Sequence, residues 1–163
     1  MSSRPAQQRH EHTVAVARAF DAPRERVFAA WTRAEHLAHW FGPKGFTVHS
    51  CEADPRPGGV FRLCMRSPEG RDYWVRGVYL EVAAPERLVV RCFADDASGI
   101  ERLDEVITVT LADEGGRTHL KLHAVSGGTG AEAAAMLRGM DQGWSETLDR
   151  LRAHAGAQAG GKR

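Results

Sequence analysis

The chain has 163 residues, of which 26% are charged, and its formal net charge is +1 at pH 7 with histidine counted as neutral. This balance gives no electrostatic basis for binding nucleic acid or an anionic membrane, because both require an excess of basic residues. The chain has no apolar run of about 18 residues and no signal-peptide pattern. We therefore expect a cytoplasmic protein with a single domain at residues 13–154 and flexible ends at 1–12 and 155–163.

The segment from Phe20 to Pro43 predicts two short helices directly after the first strand. Asp21 occupies an N-cap position and Pro23 lies in the first turn, where proline is tolerated. Apolar residues then recur at helical spacing, and a second helical turn ends at Gly42-Pro43 because proline cannot continue a helix. The predicted order is a strand, two short helices and then a sheet.

Alternating apolar and polar residues between Lys44 and Val125 predict an antiparallel meander. In one example, Phe61, Leu63 and Met65 alternate with polar neighbours, as a half-buried strand requires. Turn residues separate six such segments, at about 48–53, 60–66, 72–82, 87–93, 105–111 and 118–124. Together with the first strand they form a predicted sheet of seven strands.

The C-terminal part of the chain predicts a long helix that ends near His154. Apolar residues recur there at intervals of three and four, at Met136, Met140, Trp144, Leu148 and Leu151. A helix of about 24 residues is about 36 Å long, enough to cross a sheet. Gly139 and Gly143 lie inside it, although each interior glycine costs roughly 1 kcal/mol relative to alanine. Close packing against a neighbouring element and room for a ligand are both possible reasons.

Cysteine and histidine patterns predict neither a metal site nor a cofactor. Cys51, Cys64 and Cys92 share no zinc or redox spacing. If Pro57-Gly58 is the centre of a tight turn, Cys51 lies opposite Cys64, and either a disulfide or two reduced thiols would fit. His36 and His39 share a helix face, but no carboxylate or thiol accompanies them at a ligand spacing.

No catalytic residue is predicted. Ser126 lies in a Gly-rich segment that lacks the G-x-S-x-G pattern of a nucleophile elbow. His123 and a neighbouring acid, Asp104 or Glu105, could transfer protons in a closed cavity. Strand alternation, however, places His123 on the solvent side.

Several local motifs occur in an order that resembles a known family. They are the Asp21 to Thr32 segment, Trp40-Phe41-Gly42-Pro43, Asp54 with Arg56-Pro57-Gly58-Gly59, Gly77 with Tyr79 and Glu81, Pro85-Glu86-Arg87-Leu88, and Gly143-Trp144 with Leu148 and Leu151. They resemble the branch of the START and Bet v 1-like (SRPBCC) superfamily that is named after the activator of Hsp90 ATPase (AHSA1-like). The resemblance implies an α+β helix-grip fold, in which a curved antiparallel sheet of seven strands is crossed by the long C-terminal helix.

The resemblance also implies an apolar cavity between the concave sheet and the long helix. Members of the superfamily bind lipids, polyketides or other hydrophobic molecules there, some catalyse cyclisation, and some bind proteins. We therefore expect a hydrophobic small molecule as the partner, with a polyketide cyclase-type enzyme and a protein-interaction module, including a homodimer, as alternatives. The chain as given carries none of the separate N-terminal domain of the eukaryotic Hsp90 co-chaperone, so we do not expect binding to an Hsp90-type chaperone.

Aromatic, methionine and leucine residues on the converging elements are the predicted cavity lining, because ligand sites are commonly apolar clefts with a few polar groups. They are Trp40, Phe41, Phe61, Leu63, Met65, Trp74, Met136, Met140 and Trp144.

Two polar residues complete the predicted site. Strand parity puts Arg76 on the face of Trp74, so Arg76 could point inward and meet an anionic ligand group. Alternatively it pairs with an acid such as Glu101, Asp104 or Glu105. A bulge at Gly77 would reverse the parity and send Tyr79 inward instead.

Overall fold

The computed structural model describes residues 8–160, which form seven strands and four helices. In chain order these are β1 (Arg9–Phe20), α1 (Arg24–Thr32), α2 (Ala34–Trp40), β2 (Thr47–Ala53), β3 (Val60–Arg66), β4 (Asp72–Ala83), β5 (Arg87–Asp95), β6 (Glu101–Glu114), β7 (Arg117–Thr129), α3 (Ala131–Arg138) and α4 (Met140–Gly160). The outer parts of the two predicted flexible ends, residues 1–7 and 161–163, lie outside the described residues.

The strands form one antiparallel sheet in the order β1-β7-β6-β5-β4-β3-β2. Strands β2 to β7 follow one another as a meander, and β1 pairs with β7 at one edge. The helices cover the inner, concave face of the sheet, and the buried aromatic and aliphatic core lies between the two layers. This confirms the predicted seven-stranded curved sheet with C-terminal helices.

Both ends of the domain extend further than the sequence predicts. β1 begins at Arg9, which pairs with Thr129, because β7 is long enough to supply hydrogen-bond partners to residues 9–12. The Gly-rich segment around Ser126 is therefore the end of β7 and not a linker. At the other end α4 continues to Gly160, and Ala155 is only 1% exposed in the core. Residues 9–12 and 155–160 thus belong to secondary structure.

The predicted long C-terminal helix is two helices, which meet at Gly139. This residue has φ −94° and ψ 0°, which leaves the α-helical region, and its N–H donates to the carbonyl of Met136 at 3.2 Å. A bond from the Gly143 N–H to the Gly139 carbonyl at 2.9 Å then starts α4. Glycine suits this break because it restricts the backbone least.

The hairpin of β2 and β3 pairs one residue away from the predicted register. Cys51 pairs with Leu63, and Ser50 pairs with Cys64. Because neighbouring side chains in a strand point to opposite faces, Cys51 and Cys64 lie on opposite sides of the sheet. The disulfide alternative is therefore wrong, and both cysteines are free thiols. The register differs from the predicted one because the loop after Ala53 closes with a hydrogen bond from the Asp54 N–H to the Val60 carbonyl.

Candidate functional site

A cavity of about 280 Å³ lies between the inner face of the sheet and the C-terminal helices. The loop after α2, strands β3 to β6, and both C-terminal helices contribute to its wall. The lining residues are Phe41, Gly42, Pro43, Phe46, Met65, Tyr73, Trp74, Val75, Ala94, Asp95, Leu103, Glu105, Met136, Gly139, Met140, Gly143, Trp144 and Thr147. The wall is thus mainly apolar, with two carboxyl groups.

Six of the predicted site residues border this cavity: Phe41, Met65, Trp74, Met136, Met140 and Trp144. Trp144 projects from α4, and its ring packs at 6.0 Å, edge to face, against that of Phe41. Trp74 lies at the edge of the cavity. Its ring is on the outer face of the sheet, where the Arg62 guanidinium packs over it at 4.4 Å from the ring centre.

Four other predicted residues, Trp40, Phe61, Leu63 and Tyr79, are fully buried in the packed core and do not border the cavity. Trp40 donates its Nε1–H to the carbonyl of Ala30 at 3.0 Å. The Tyr79 hydroxyl donates to the carbonyl of Trp31 at 3.1 Å, and burial raises the pKa of this phenol. Their polar ends are used within the protein, so these side chains fill space that the sequence analysis assigned to a ligand.

Arg76 is on the same face as Trp74, as predicted, but that face points away from the cavity. Its guanidinium donates to Asp95 at 2.7 Å and to Glu101 at 3.3 Å. The structure thus has the ion pair that was the alternative, and Arg76 does not border the cavity. Tyr79 points inward without a bulge at Gly77, because it lies on the same face of β4 as the buried Val75. The irregularity in the pairing of β4 with β5 lies further along, between Tyr79 and Glu81.

Glu105 is a carboxyl residue of the cavity wall that the predicted site did not include, although the sequence suggested it as a partner of Arg76 or of His123. It lies on the inner face of β6 between Leu103 and Ile107 and is 8% exposed. Oε2 accepts hydrogen bonds from the Ser126 hydroxyl at 2.8 Å and from Trp144 Nε1 at 3.4 Å. Oε1 accepts a longer bond from the Cys92 thiol at 3.6 Å. The signal was present in the sequence, because Glu105 interrupts an alternation that is otherwise apolar on that face.

The environment of Glu105 acts on its ionisation in two opposing ways. Burial raises the pKa of the carboxyl, since the apolar surroundings disfavour its charged form. The hydrogen bonds from Ser126, Trp144 and Cys92 stabilise the carboxylate and lower its pKa, but by less than burial raises it. Next to it, burial and the Glu105 charge raise the pKa of the Cys92 thiol well above its usual value. The thiol therefore serves as a neutral donor and not as a nucleophile.

The two helix glycines border the cavity. A Cβ at Gly139 would meet only the Met136 carbonyl at 3.8 Å, and one at Gly143 would meet only Pro43 at 3.9 Å. Both are ordinary van der Waals distances, so close packing does not require glycine at either position. The other explanation, that the glycines leave room between helix and sheet, fits the geometry.

The two histidines of α2, His36 and His39, contact a third histidine on α4. His36 Nδ1 lies 2.9 Å from His154 Nε2, and the His39 ring stacks on His154. Within residues 8–160 no group of three or more His, Cys, Asp or Glu side chains converges in a way that could hold a metal ion. None of the helices in the same range has the length and apolar character of a membrane span.

A curved antiparallel sheet of seven strands, with helices packed across an apolar cavity on its concave face, defines a helix-grip protein of the Bet v 1 and START-like class. The family model described as "Activator of Hsp90 ATPase homolog 1-like protein" matches residues 21–156. The chain belongs to this family.

Solved structures agree with that assignment. A protein of Chromobacterium violaceum is 31% identical, with a TM-score of 0.72, and the match covers 86% of this chain and 94% of that one. An AHSA1 protein of Silicibacter pomeroyi is 21% identical, with a TM-score of 0.72 and coverage of 90% and 99%. A protein of Arthrobacter aurescens is 22% identical, with a TM-score of 0.74 and coverage of 89% and 86%. The last two likenesses concern the fold alone. The comparison with curated proteins finds no match.

Proposed function

We propose that this protein binds a small, largely apolar molecule in the cavity between the sheet and the C-terminal helices. The observation that carries the proposal is the cavity itself, about 280 Å³ of space with aromatic and methionine walls and two buried carboxyl groups, Asp95 and Glu105. Ligand sites are typically apolar concavities in which a few polar groups fix orientation. Removal of apolar ligand surface from water, at roughly 25 cal/mol per Å², would supply most of the binding free energy.

The volume indicates how large a part of a ligand the cavity can hold. An apolar cavity of about 150 Å³ holds benzene. A cavity of about 280 Å³ therefore suits a molecule of roughly two fused rings, or an aliphatic molecule of similar volume. The three methionines in the wall can adapt to different shapes, because their side chains are unbranched and flexible. These features support a small ring compound, or a ring of that size as the buried part of the ligand.

Cyclase-type turnover would need a group in the wall that transfers protons. Glu105 is the candidate for that role, since Arg76 and Tyr79 do not reach the cavity. Its oxygens, however, already accept hydrogen bonds from Ser126, Trp144 and Cys92. Binding without turnover is therefore the function that the geometry supports best.

A thermal-shift panel of two-ring aromatic and alicyclic compounds tests the proposal. A ligand at about 100 times its Kd should add roughly 2.7 kcal/mol to the free energy of unfolding, which for a chain of this size raises Tm by about 5–10 °C. The Met140→Trp variant fills the cavity with a larger side chain and should abolish the shift. Ala153→Trp adds the same ring at an exposed position of the same helix and should keep it.

The absence of any shift across the panel would contradict the proposal. So would an equal shift in the wild type and in Met140→Trp, because the ligand would then bind elsewhere. A shift that is present in the wild type and in Ala153→Trp but lost in Met140→Trp supports it.

A further inference from the structure

The geometry points to a small ring compound with an amino substituent as the ligand, with its protonated nitrogen at Glu105 and its ring system against the aromatic wall. This inference rests on the proposed function, since it names the chemical class that the same cavity selects. It also predicts that the cavity rejects carboxylic acids of the same size and shape.

In the part of the chain that the structure describes, Glu105 has no cationic partner. Its three hydrogen-bond donors, Ser126, Trp144 and Cys92, are all neutral groups. Among residues 8–160, no lysine, arginine or histidine forms an ion pair with it. Buried charges in proteins are ordinarily paired with an opposite charge, because an unpaired one is costly to remove from water. The carboxyl group faces a cavity, so a cationic ligand can supply the missing partner there.

The rest of the wall brings no positive charge to the cavity. Of the described residues that line it, none is a lysine, arginine or histidine, and the other carboxyl group is that of Asp95. Asp95 already has a partner, the guanidinium of Arg76 on the outer face. Arg150 lies behind the wall, where it donates to the carbonyls of Gly42 and Pro43 at 2.9 and 3.0 Å. Glu105 is therefore the carboxyl group of the wall that lacks a cationic partner among the described residues.

Aromatic rings provide a second attraction for a cation. Phe41, Phe46, Tyr73 and Trp144 are part of the wall, and the electron-rich face of such rings attracts an ammonium group. Trp144 links the two effects, because it borders the cavity and also donates its Nε1–H to Glu105. An organic ammonium can thus contact the carboxylate and an aromatic ring at the same time.

The fold has already removed Glu105 from water, which lowers the cost of forming the pair. An amine that enters the cavity must lose only its own hydration. A carboxylate ligand would also lose its hydration, and its charge would then lie next to a like charge, which is unfavourable. The same residue therefore attracts one class of ligand and repels another, as specific sites commonly do.

Three ligands with one ring system test the inference: naphthalen-2-ylmethylamine, naphthalen-2-ylmethanol and naphthalene-2-carboxylic acid. Calorimetric titration of the wild-type chain at pH 7 should show the amine binding at least about tenfold more tightly than the alcohol, with the acid weakest. In Glu105→Gln, which keeps an oxygen acceptor for Trp144, the preference for the amine over the alcohol should disappear. Glu114→Gln removes an exposed carboxylate from the far end of the same strand and should leave the ranking unchanged.

An alcohol that binds as tightly as the amine to the wild type, or an acid that binds most tightly, would overturn the inference, and neither comparison depends on a variant. An unchanged preference in Glu105→Gln would overturn it as well. If neutral two-ring compounds bind and Met140→Trp abolishes their binding, but the amine has no advantage, the inference fails and the proposed function stands. If neither the three ligands nor the thermal-shift panel gives binding, both fail.

Discussion

Two regions of the space between sheet and helices are built from the same kinds of side chain but differ in how they are filled. In the first region Trp31, Trp40, Phe61 and Tyr79 pack against one another with almost no exposed surface. In the second, Trp144 and the methionines surround about 280 Å³ of open space. Residue type alone therefore does not separate a core from a cavity.

The two regions differ in what the polar atoms and the small residues do. Trp40 and Tyr79 donate to backbone carbonyls, so the polar end of each ring is fixed inside the packed region. Trp144 donates to the Glu105 carboxyl at the edge of the open space. Gly139 and Gly143 leave room on the helices there. The cavity thus differs from the packed core in two ways. One of its aromatic side chains donates to a carboxyl group, and glycines on the facing helices leave space.

The largest expected difference between the two regions is in the cost of truncation. Phe61→Ala should lower the free energy of unfolding by about 3–5 kcal/mol, because it removes a fully buried ring from a packed core. Met65→Ala, at the cavity wall on the same strand, should cost about 1–2 kcal/mol because its side chain is only half-buried. Urea unfolding of both variants measures the two values. Equal costs would show that the cavity wall is packed as tightly as the core.

A second difference is pH-dependent and belongs to Glu105. Burial raises the pKa of this carboxyl above its ordinary value of 4.5. A group with a raised pKa in the folded state stabilises the fold below the ordinary pKa, and this stabilisation is lost as the pH rises through the raised pKa. The free energy of unfolding of the wild type should therefore fall, relative to Glu105→Gln, as the pH rises from about 4.5. Urea titrations at several pH values check this, and parallel curves for the two proteins would refute it.

The smallest expected effect is a gain in stability at Gly143. Gly143→Ala should raise the free energy of unfolding by about 0.5–1 kcal/mol, because alanine restricts the unfolded chain and the new methyl group meets nothing closer than 3.9 Å. Gly77→Ala is the contrasting variant, since a Cβ there would clash with the Arg91 carbonyl oxygen and with Cys92. Thermal unfolding should show a small rise in Tm for the first and a fall for the second. A fall for Gly143→Ala would mean that the helix needs glycine at that position for packing.

Periodicity in the sequence was enough to predict the strands and helices, and the resemblance to a known family implied their helix-grip arrangement. Alternating apolar and polar residues predicted the strands, and apolar residues at intervals of three and four predicted the helices. Both patterns depend only on residues that are close in the sequence. The split at Gly139 was not predictable, because the apolar stripe from Met136 to Trp144 continues across it. The pairing of Cys51 was missed for a related reason, since the geometry of one loop decides the register of the whole hairpin.

The cavity was predictable only in part. Phe41, Met65 and Trp144 lie where elements converge, but whether a ring lines space or fills it depends on packing among distant residues such as Trp31 and Tyr79. Strand β4 carries apolar residues on both faces, so its parity could not reveal that Arg76 points outward. Glu105 was within reach of the sequence, because an acid at an inward position of an otherwise apolar strand face marks a polar group in the interior.

The pairing of β1 with β7 has a consequence for the order of synthesis. Strands β3 to β7 each neighbour the preceding strand, so β2 to β7 can pair in turn as the chain leaves the ribosome. β1 is made first, yet its partner lies about 100 residues later, as the pairing of Phe20 with Thr118 shows. The apolar face of β1, with Val14 and Phe20, therefore remains uncovered through most of translation. A chain truncated after β6 would carry that exposed strand permanently, as a site for aggregation.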